Sequence, residues 1–145
     1  MTLDINTKDE MVMKLLHYFI TEKNYNPVVL HGAQEEIWLE NMDNDYKIVR
    51  IVSNYIHNNE QLDFDLFKTQ KIVSNIKKKT LNLNMNVLSI YVDLGDNVNL
   101  DTNKNNTITC VNLTNEKDIS KYEVFKNYFT DIKNKLVFNE DGMEL

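Results

Sequence analysis

Residue types that bind metal ions are grouped at one junction in the middle of the chain. The group consists of His57, Glu60, Asp63 and Asp65, which span nine residues where a polar segment meets a helical pattern. An imidazole with several carboxylates is a typical ligand set for Mn²⁺ or Zn²⁺. His57, Asp63 and Asp65 are therefore the candidate metal ligands, and a divalent cation is the one cofactor that the sequence indicates.

The same residues also have a structural interpretation. Asp63 can cap the following helix, and Asp65 can stabilise its positive end, while His57 lies in the preceding solvated loop. A positive helix end also disfavours a cation. Asp63 and Asp65 do not share a helical face, so both can bind one ion only if Asp63 lies at the cap, outside the helix.

A second candidate site is catalytic. Asp45-Tyr46-Lys47 matches the D-x-K motif of PD-(D/E)xK nucleases, which use Mg²⁺, with Glu10 or Glu40 as further carboxylates. The match rests on two residues, and such sites need another acid on a facing strand. The alternative is a solvated acidic turn. The net charge of −6 argues against general nucleic-acid binding, which requires a basic surface.

A third pattern imitates the start of a calcium loop. Asp101, Asn103 and Asn105 have the spacing of an EF-hand, but Asn106 replaces its glycine and Asn112 replaces its bidentate glutamate. The sequence therefore excludes an EF-hand calcium site.

Isolated reactive residues have simpler interpretations. Cys110 is the single cysteine, which excludes an internal disulfide, and its apolar neighbours predict a buried structural thiol. His17 and His31 have no visible nucleophile as a partner. The run Lys77–Lys79 either compensates a helix dipole or contacts anionic lipid headgroups.

A predicted β-hairpin lies at the centre of the fold, and we expect the rest of the chain to pack around it. Its strands are Glu36–Glu40, which contains the only tryptophan, Trp38, and Tyr46–Ile51, joined by a polar turn. Apart from Arg50, which we expect to be exposed, both faces of the hairpin are largely apolar. This pattern places the hairpin near the middle of a sheet that is covered on both sides.

The remaining elements complete an α+β fold. Apolar spacing predicts helices over about 8–23, from about 63 to the lysine run, and over 116–136. Thr7 is the expected N-cap of the first helix, in a capping box with Glu10. Short apolar runs predict further strands at 28–31, 87–92 and 107–113.

The order αβββαββα predicts a central mixed sheet flanked by helices, whose first six elements match the topology of the PD-(D/E)xK core. We expect one domain over residues 1–138 and the start of a linker or tail at 139–145. No segment reaches the roughly 18 apolar residues of a membrane span, and no signal peptide is evident, which predicts a soluble intracellular domain.

Several runs together point to a known family. They are Val28-Val29-Leu30-His31-Gly32, Glu36-Ile37-Trp38-Leu39-Glu40, Ile48-Val49-Arg50-Ile51, Leu62-Asp63-Phe64 and Asn86-Val87-Leu88-Ser89-Ile90-Tyr91-Val92. Over about residues 10–100, the chain resembles the N-terminal cytosolic domain of rhomboid-family intramembrane serine proteases from low-GC Gram-positive bacteria.

The resemblance implies a non-catalytic regulatory or sensory domain at the cytoplasmic face of the cell membrane. In the family, a membrane-embedded domain carries a Ser/His dyad with its nucleophile in a Gly-x-Ser-Gly motif. None of Gly32, Gly95 and Gly142 has a serine two residues on, so no catalytic residue is carried over. The implied partner is the protease domain of the same parent chain, with anionic lipid nearby. A nuclease-like hydrolase and a plain protein-interaction module remain the alternatives.

Overall fold

Five strands form one mixed sheet in the order β1-β2-β3-β4-β5. The computed structural model describes residues 5–30, 36–82, 84–100 and 107–136. The strands are β1 (Asn26–Val28), β2 (Ile37–Glu40), β3 (Tyr46–Val52), β4 (Asn86–Tyr91) and β5 (Ile108–Asn112). β1, β2 and β3 pair antiparallel, whereas β3, β4 and β5 pair parallel.

The predicted hairpin is confirmed as β2 and β3, in the interior of the sheet. Trp38 on β2 lies directly opposite Arg50 on β3. Trp38 is 2% exposed, which confirms the prediction that it is a core residue. The first predicted strand is shorter and begins earlier than expected: Pro27 lies within β1, at the sheet edge, where its missing N–H is tolerated.

One face of the sheet is covered by the N-terminal helix and the C-terminal segment. α1 (Ile5–His17) continues as one π-helical turn over Tyr18–Glu22. Because α1 already includes residue 7, the expectation of Thr7 as N-cap is wrong. Phe19 from the π turn meets Phe129 edge-on, with ring centroids 5.2 Å apart, within the larger hydrophobic core.

The C-terminal segment is not the single long helix that its apolar spacing predicts. It consists of a 3₁₀ helix (Glu116–Lys121), α3 (Glu123–Asn127) and α4 (Ile132–Lys135). Asn115 and Asp118 form a capping box on the 3₁₀ helix, and Tyr122 is extended, with φ −120° and ψ 129°. Phe125, Phe129, Ile132 and Leu136 nevertheless reach the core as predicted.

The other face of the sheet is covered by α2 (Asn59–Thr80), the crossover between the parallel strands β3 and β4. α2 begins four residues before the predicted start at Asp63, because the Asn58 side chain accepts the Gln61 N–H at 3.0 Å. Its last turn carries Lys77–Lys79, as predicted.

The element order αβββαββα is therefore confirmed with the last helix divided, and the chain is a single α+β domain. The predicted tail at 139–145 lies outside the described residues. Among the helices of the described ranges, none combines the length and apolar character that crossing a bilayer requires.

Candidate functional site

The side chain at the centre of the sheet face under α2 is Arg50, the only arginine of the chain. The expectation that Arg50 is exposed is wrong: its exposed fraction is 0%. Arg50 shares a face of β3 with Ile48 and Val52, which belong to the core between the sheet and α2. Its neighbour on β4 is Ser89, so Arg50 lies on an interior strand of the sheet rather than on an edge strand.

All five N–H groups of the Arg50 guanidinium have acceptors. Nε donates to Ser89 Oγ at 3.1 Å. Nη1 donates to Glu36 Oε1 at 2.8 Å and to Asp65 Oδ1 at 3.0 Å. Nη2 donates to Asp65 Oδ2 at 2.5 Å and to the Tyr91 hydroxyl at 2.8 Å. We call Arg50, Glu36, Asp65, Ser89 and Tyr91 the arginine cluster.

Protonation within the cluster is fixed by its geometry. Burial is the largest single influence and acts against the charged form of Arg50. Hydrogen bonding to Asp65 and the electrostatic effects of Tyr91, Asp65 and Glu36 together outweigh it and raise the pKa of Arg50. Burial acts to raise the pKa of Asp65, but the hydrogen bonds and charge of Arg50 outweigh it and hold that pKa below its usual value. Burial raises the pKa of Tyr91, which stays neutral. The pair of Arg50 and Asp65 is therefore ionised at neutral pH.

Glu36 joins the arginine cluster to the tryptophan of the hairpin. Its Oε1 accepts from Trp38 Nε1 at 3.1 Å and from Arg50 Nη1 at 2.8 Å. The Glu36 side chain is 6% exposed, and its Oε2 lies 3.8 Å from Lys68 Nζ, beyond hydrogen-bonding distance. Two carboxylates thus surround one guanidinium, which leaves one negative charge in excess within the cluster.

A cavity of about 430 Å³ adjoins the arginine cluster. It lies between the carboxyl end of β3, the connection that follows, and the first turns of α2, a common position for ligands in sheets with parallel strands. Its lining mixes polar and apolar side chains: Glu36, Val52, Asn54, Tyr55, Ile56, Glu60, Gln61, Phe64, Asp65 and Lys68.

The connection beside the cavity is fixed by close backbone contacts with the loop after β4. Ile56 N–H donates to Asp93 O at 3.1 Å, and Gly95 N–H donates to Ile56 O at 2.8 Å. A Cβ at position 95 would lie 2.7 Å from His57 O, so only glycine fits there without displacement of this backbone.

The structure places the predicted metal ligands in different surroundings. Asp65 pairs with Arg50, whereas Asp63 is exposed within α2 and His57 is exposed with its ring against Tyr55, the centroids 4.4 Å apart. Asp63 is not the helix cap, because α2 begins at Asn59, so the condition under which both aspartates bind one ion is not met.

In the described part of the chain, no three His, Cys, Asp or Glu side chains form a group that could hold a metal ion. Binding of Mn²⁺ or Zn²⁺ remains an untested prediction.

The predicted nuclease residues lie at the turn of the hairpin, away from the cluster on the α2 face. Asp45 is exposed, and Lys47 Nζ donates to Asn44 O at 3.2 Å. Glu40 is half-buried and Glu10 is exposed. Hydrolytic activity at this turn remains an untested prediction.

The other candidates are placed as follows. Cys110 is half-buried and packs against the α2-side core, less buried than predicted. His17 is half-buried on α1. His31 and the residues of the excluded calcium loop at 101–106 lie outside the described residues.

Comparison with known proteins does not assign the chain to a family: no protein-family model matches it, and no curated protein matches it significantly.

Proposed function

We propose that the chain is a non-catalytic regulatory or sensory domain of a rhomboid-type intramembrane protease, and that its ligand occupies the cavity beside the arginine cluster. The observation that carries the binding role is the contact between this cavity and Glu36 and Asp65, two carboxylates that the fold holds in fixed positions around Arg50. The rhomboid parent is supported by the resemblance of the hairpin and its neighbouring runs. The domain would lie at the cytoplasmic face of the membrane.

The cavity has the properties of a recognition site. Its acidic groups are held by hydrogen bonds, which lowers the entropic cost of ordering them around a ligand. Apolar surface from Val52, Ile56 and Phe64 lies beside these groups. A small ligand can therefore be oriented by a few polar contacts while its apolar part is buried.

α2 supplies a route from the cavity to the membrane surface. The helix has 22 residues and extends for about 33 Å at 1.5 Å per residue. Phe64 and Lys68 near its start line the cavity, and Lys77–Lys79 form its last turn. In a membrane-tethered parent, these lysines would contact anionic headgroups, each contributing roughly 1 kcal/mol near the surface. A ligand that shifts α2 would then change the orientation of the domain relative to the membrane.

The coding sequence of the natural gene provides the first test. We expect the reading frame to continue beyond the Leu145 codon into several hydrophobic spans, one of them carrying Gly-x-Ser-Gly. A stop codon directly after Leu145 would contradict the rhomboid parent and leave only the binding role of the cavity to be tested.

A further inference from the structure

The charged groups around the cavity differ in how many hydrogen bonds they make within the fold. Arg50 donates all five of its guanidinium N–H groups to acceptors within the fold. An arginine with free N–H groups would recognise a carboxylate or phosphate. Asp65 is likewise engaged through both carboxylate oxygens, by Arg50 and by Tyr91. The guanidinium cannot receive a ligand without breaking buried hydrogen bonds, so an anion finds no available guanidinium here.

Glu36 accepts fewer hydrogen bonds than Asp65. Glu36 Oε1 accepts hydrogen bonds from Trp38 and Arg50, but Oε2 accepts none among the described residues. Its nearest cation is the Lys68 ammonium, at 3.8 Å, on a side chain that is 43% exposed. An unbonded carboxylate oxygen on a side chain that is 6% exposed, with so distant a partner, favours a closer cationic donor.

The surroundings of this oxygen match a cation that carries an apolar body. Tyr55 and Phe64 supply aromatic surface to the cavity, and Phe64 is 64% exposed. Aromatic faces attract ammonium groups and also bury hydrocarbon. Glu60 adds a carboxylate to the lining, and Lys68 is the one basic residue among the described lining residues. The lining therefore carries more negative than positive charge.

We propose that the cavity binds an organic cation, a primary ammonium joined to an aromatic or aliphatic body. The ammonium donates to Glu36 Oε2 in place of the more distant Lys68, and the apolar body lies against Phe64 and Ile56. The inference rests on the proposed ligand-binding role, but it does not depend on the identity of the parent protein.

Amide NMR titration of this chain with phenethylammonium tests the proposal. Two analogues of similar shape serve as controls, neutral 2-phenylethanol and anionic 3-phenylpropanoate. We expect saturable shifts for phenethylammonium at amides of residues 54–56 and 60–68, with weaker effects from the alcohol and none from the acid. Equal binding of the alcohol, stronger binding of the acid, or no saturable shift at millimolar concentration would each overturn the proposal.

Two charge-changing variants make the test specific. Glu36→Gln keeps an oxygen for Trp38 and Arg50 but replaces the unbonded oxygen with an amide, and we expect at least about tenfold weaker phenethylammonium binding. Lys68→Ala removes the competing ammonium, and we expect about two- to fivefold tighter binding, the scale of an exposed ion pair. Lys78→Ala removes the same charge from α2 outside the cavity and should leave the affinity unchanged.

Further outcomes distinguish a failure of the organic-cation proposal from a failure of the rhomboid assignment. If Glu36→Gln does not fold, the comparison of Lys68→Ala with Lys78→Ala decides, because equal affinities would contradict a competing role for Lys68. If Zn²⁺ perturbs the cavity amides and phenethylammonium does not, the site binds a metal ion and the proposal is wrong. A parent gene without membrane spans would contradict the rhomboid assignment and leave these binding results unaffected.

Discussion

Arg50 and Asp65 face each other in a bidentate ion pair across the interface between β3 and α2. Two nearly parallel hydrogen bonds join them, Nη1 to Oδ1 at 3.0 Å and Nη2 to Oδ2 at 2.5 Å. The pair attaches the crossover helix to the centre of the sheet and fixes the position of Glu36 beside the cavity. Its loss would therefore affect both stability and the candidate site.

Replacement of Arg50 should be strongly destabilising. Arg50→Met leaves two buried carboxylates without their cation, and we expect a loss of about 3–5 kcal/mol in the free energy of unfolding. Urea denaturation measures it. Lys71→Met is the matched control on the exposed side of α2 and should cost at most about 0.5 kcal/mol.

The double variant Arg50→Met/Asp65→Leu removes the charges of the ion pair, so its cost should be smaller than the sum of the single costs. Additive costs would contradict the coupling of the two side chains.

The pH dependence of stability should report on Asp65. Its pKa is lower in the folded state than in the unfolded state, so the unfolded state binds more protons as the pH falls. The contribution of Asp65 is fully present above the unfolded value of about 3.9 and is lost as the pH falls through the folded pKa.

Chemical denaturation between pH 2 and pH 7, with urea at each pH, compares the wild type with Asp65→Asn. We expect the stability difference between them to be largest above about pH 5 and to narrow in acid. Asp63→Asn, a change at an exposed position of the same helix, should follow the wild-type curve. A difference for Asp65→Asn that widens in acid would show that Asp65 is not stabilised as an anion.

Trp38 should be one of the largest single contributors to the core. Trp38→Ala empties a site that is 2% exposed, and we expect a loss of about 3–5 kcal/mol. Trp38→Phe retains an aromatic ring and loses the N–H donated to Glu36, so it should cost less. A loss below about 1 kcal/mol for Trp38→Ala, measured by chemical denaturation, would mean that the indole contributes little to the folded state.

Gly95 should be needed for the connection beside the cavity. Gly95→Ala brings a Cβ to 2.7 Å from His57 O, and we expect a loss of about 1–3 kcal/mol in stability. NMR spectra should show amide shifts at residues 55–57, since this backbone must move. An unchanged melting temperature with unchanged shifts there would show that the loop accommodates the methyl group freely.

The sequence was sufficient for the hairpin and the layering of the fold, because these follow from local apolar periodicity. It was insufficient for the arginine cluster, because the partners of Arg50 come from the residue before β2, from α2 and from two positions of β4. The expectation that Arg50 is exposed is wrong, and the apolar residues that flank it on both sides in β3 favour burial. An isolated arginine in such a strand, followed by aspartate early in a crossover helix, was the available signal.

Two helices differ from their predicted extent for local reasons. α2 begins at an Asn58 cap rather than at Asp63, and Asp65 within this helix accepts a hydrogen bond from Arg50 on the sheet. The C-terminal segment begins at the predicted residue 116, behind the Asn115 capping box, but its helix is interrupted where the backbone of Tyr122 is extended. At α2, a side-chain hydrogen bond of an asparagine determines where the helix begins.

The measurement that tests the central claim most directly is proteolysis by the natural full-length gene product in lipid vesicles, with a transmembrane substrate. We expect cleavage within the membrane at a rate that Phe64→Ala and Glu36→Gln alter through the cavity, whereas Lys71→Ala on the exposed side of α2 leaves it unchanged. A gene product that remains outside the membrane fraction, or cleavage that responds to none of the cavity variants, would contradict the regulatory role.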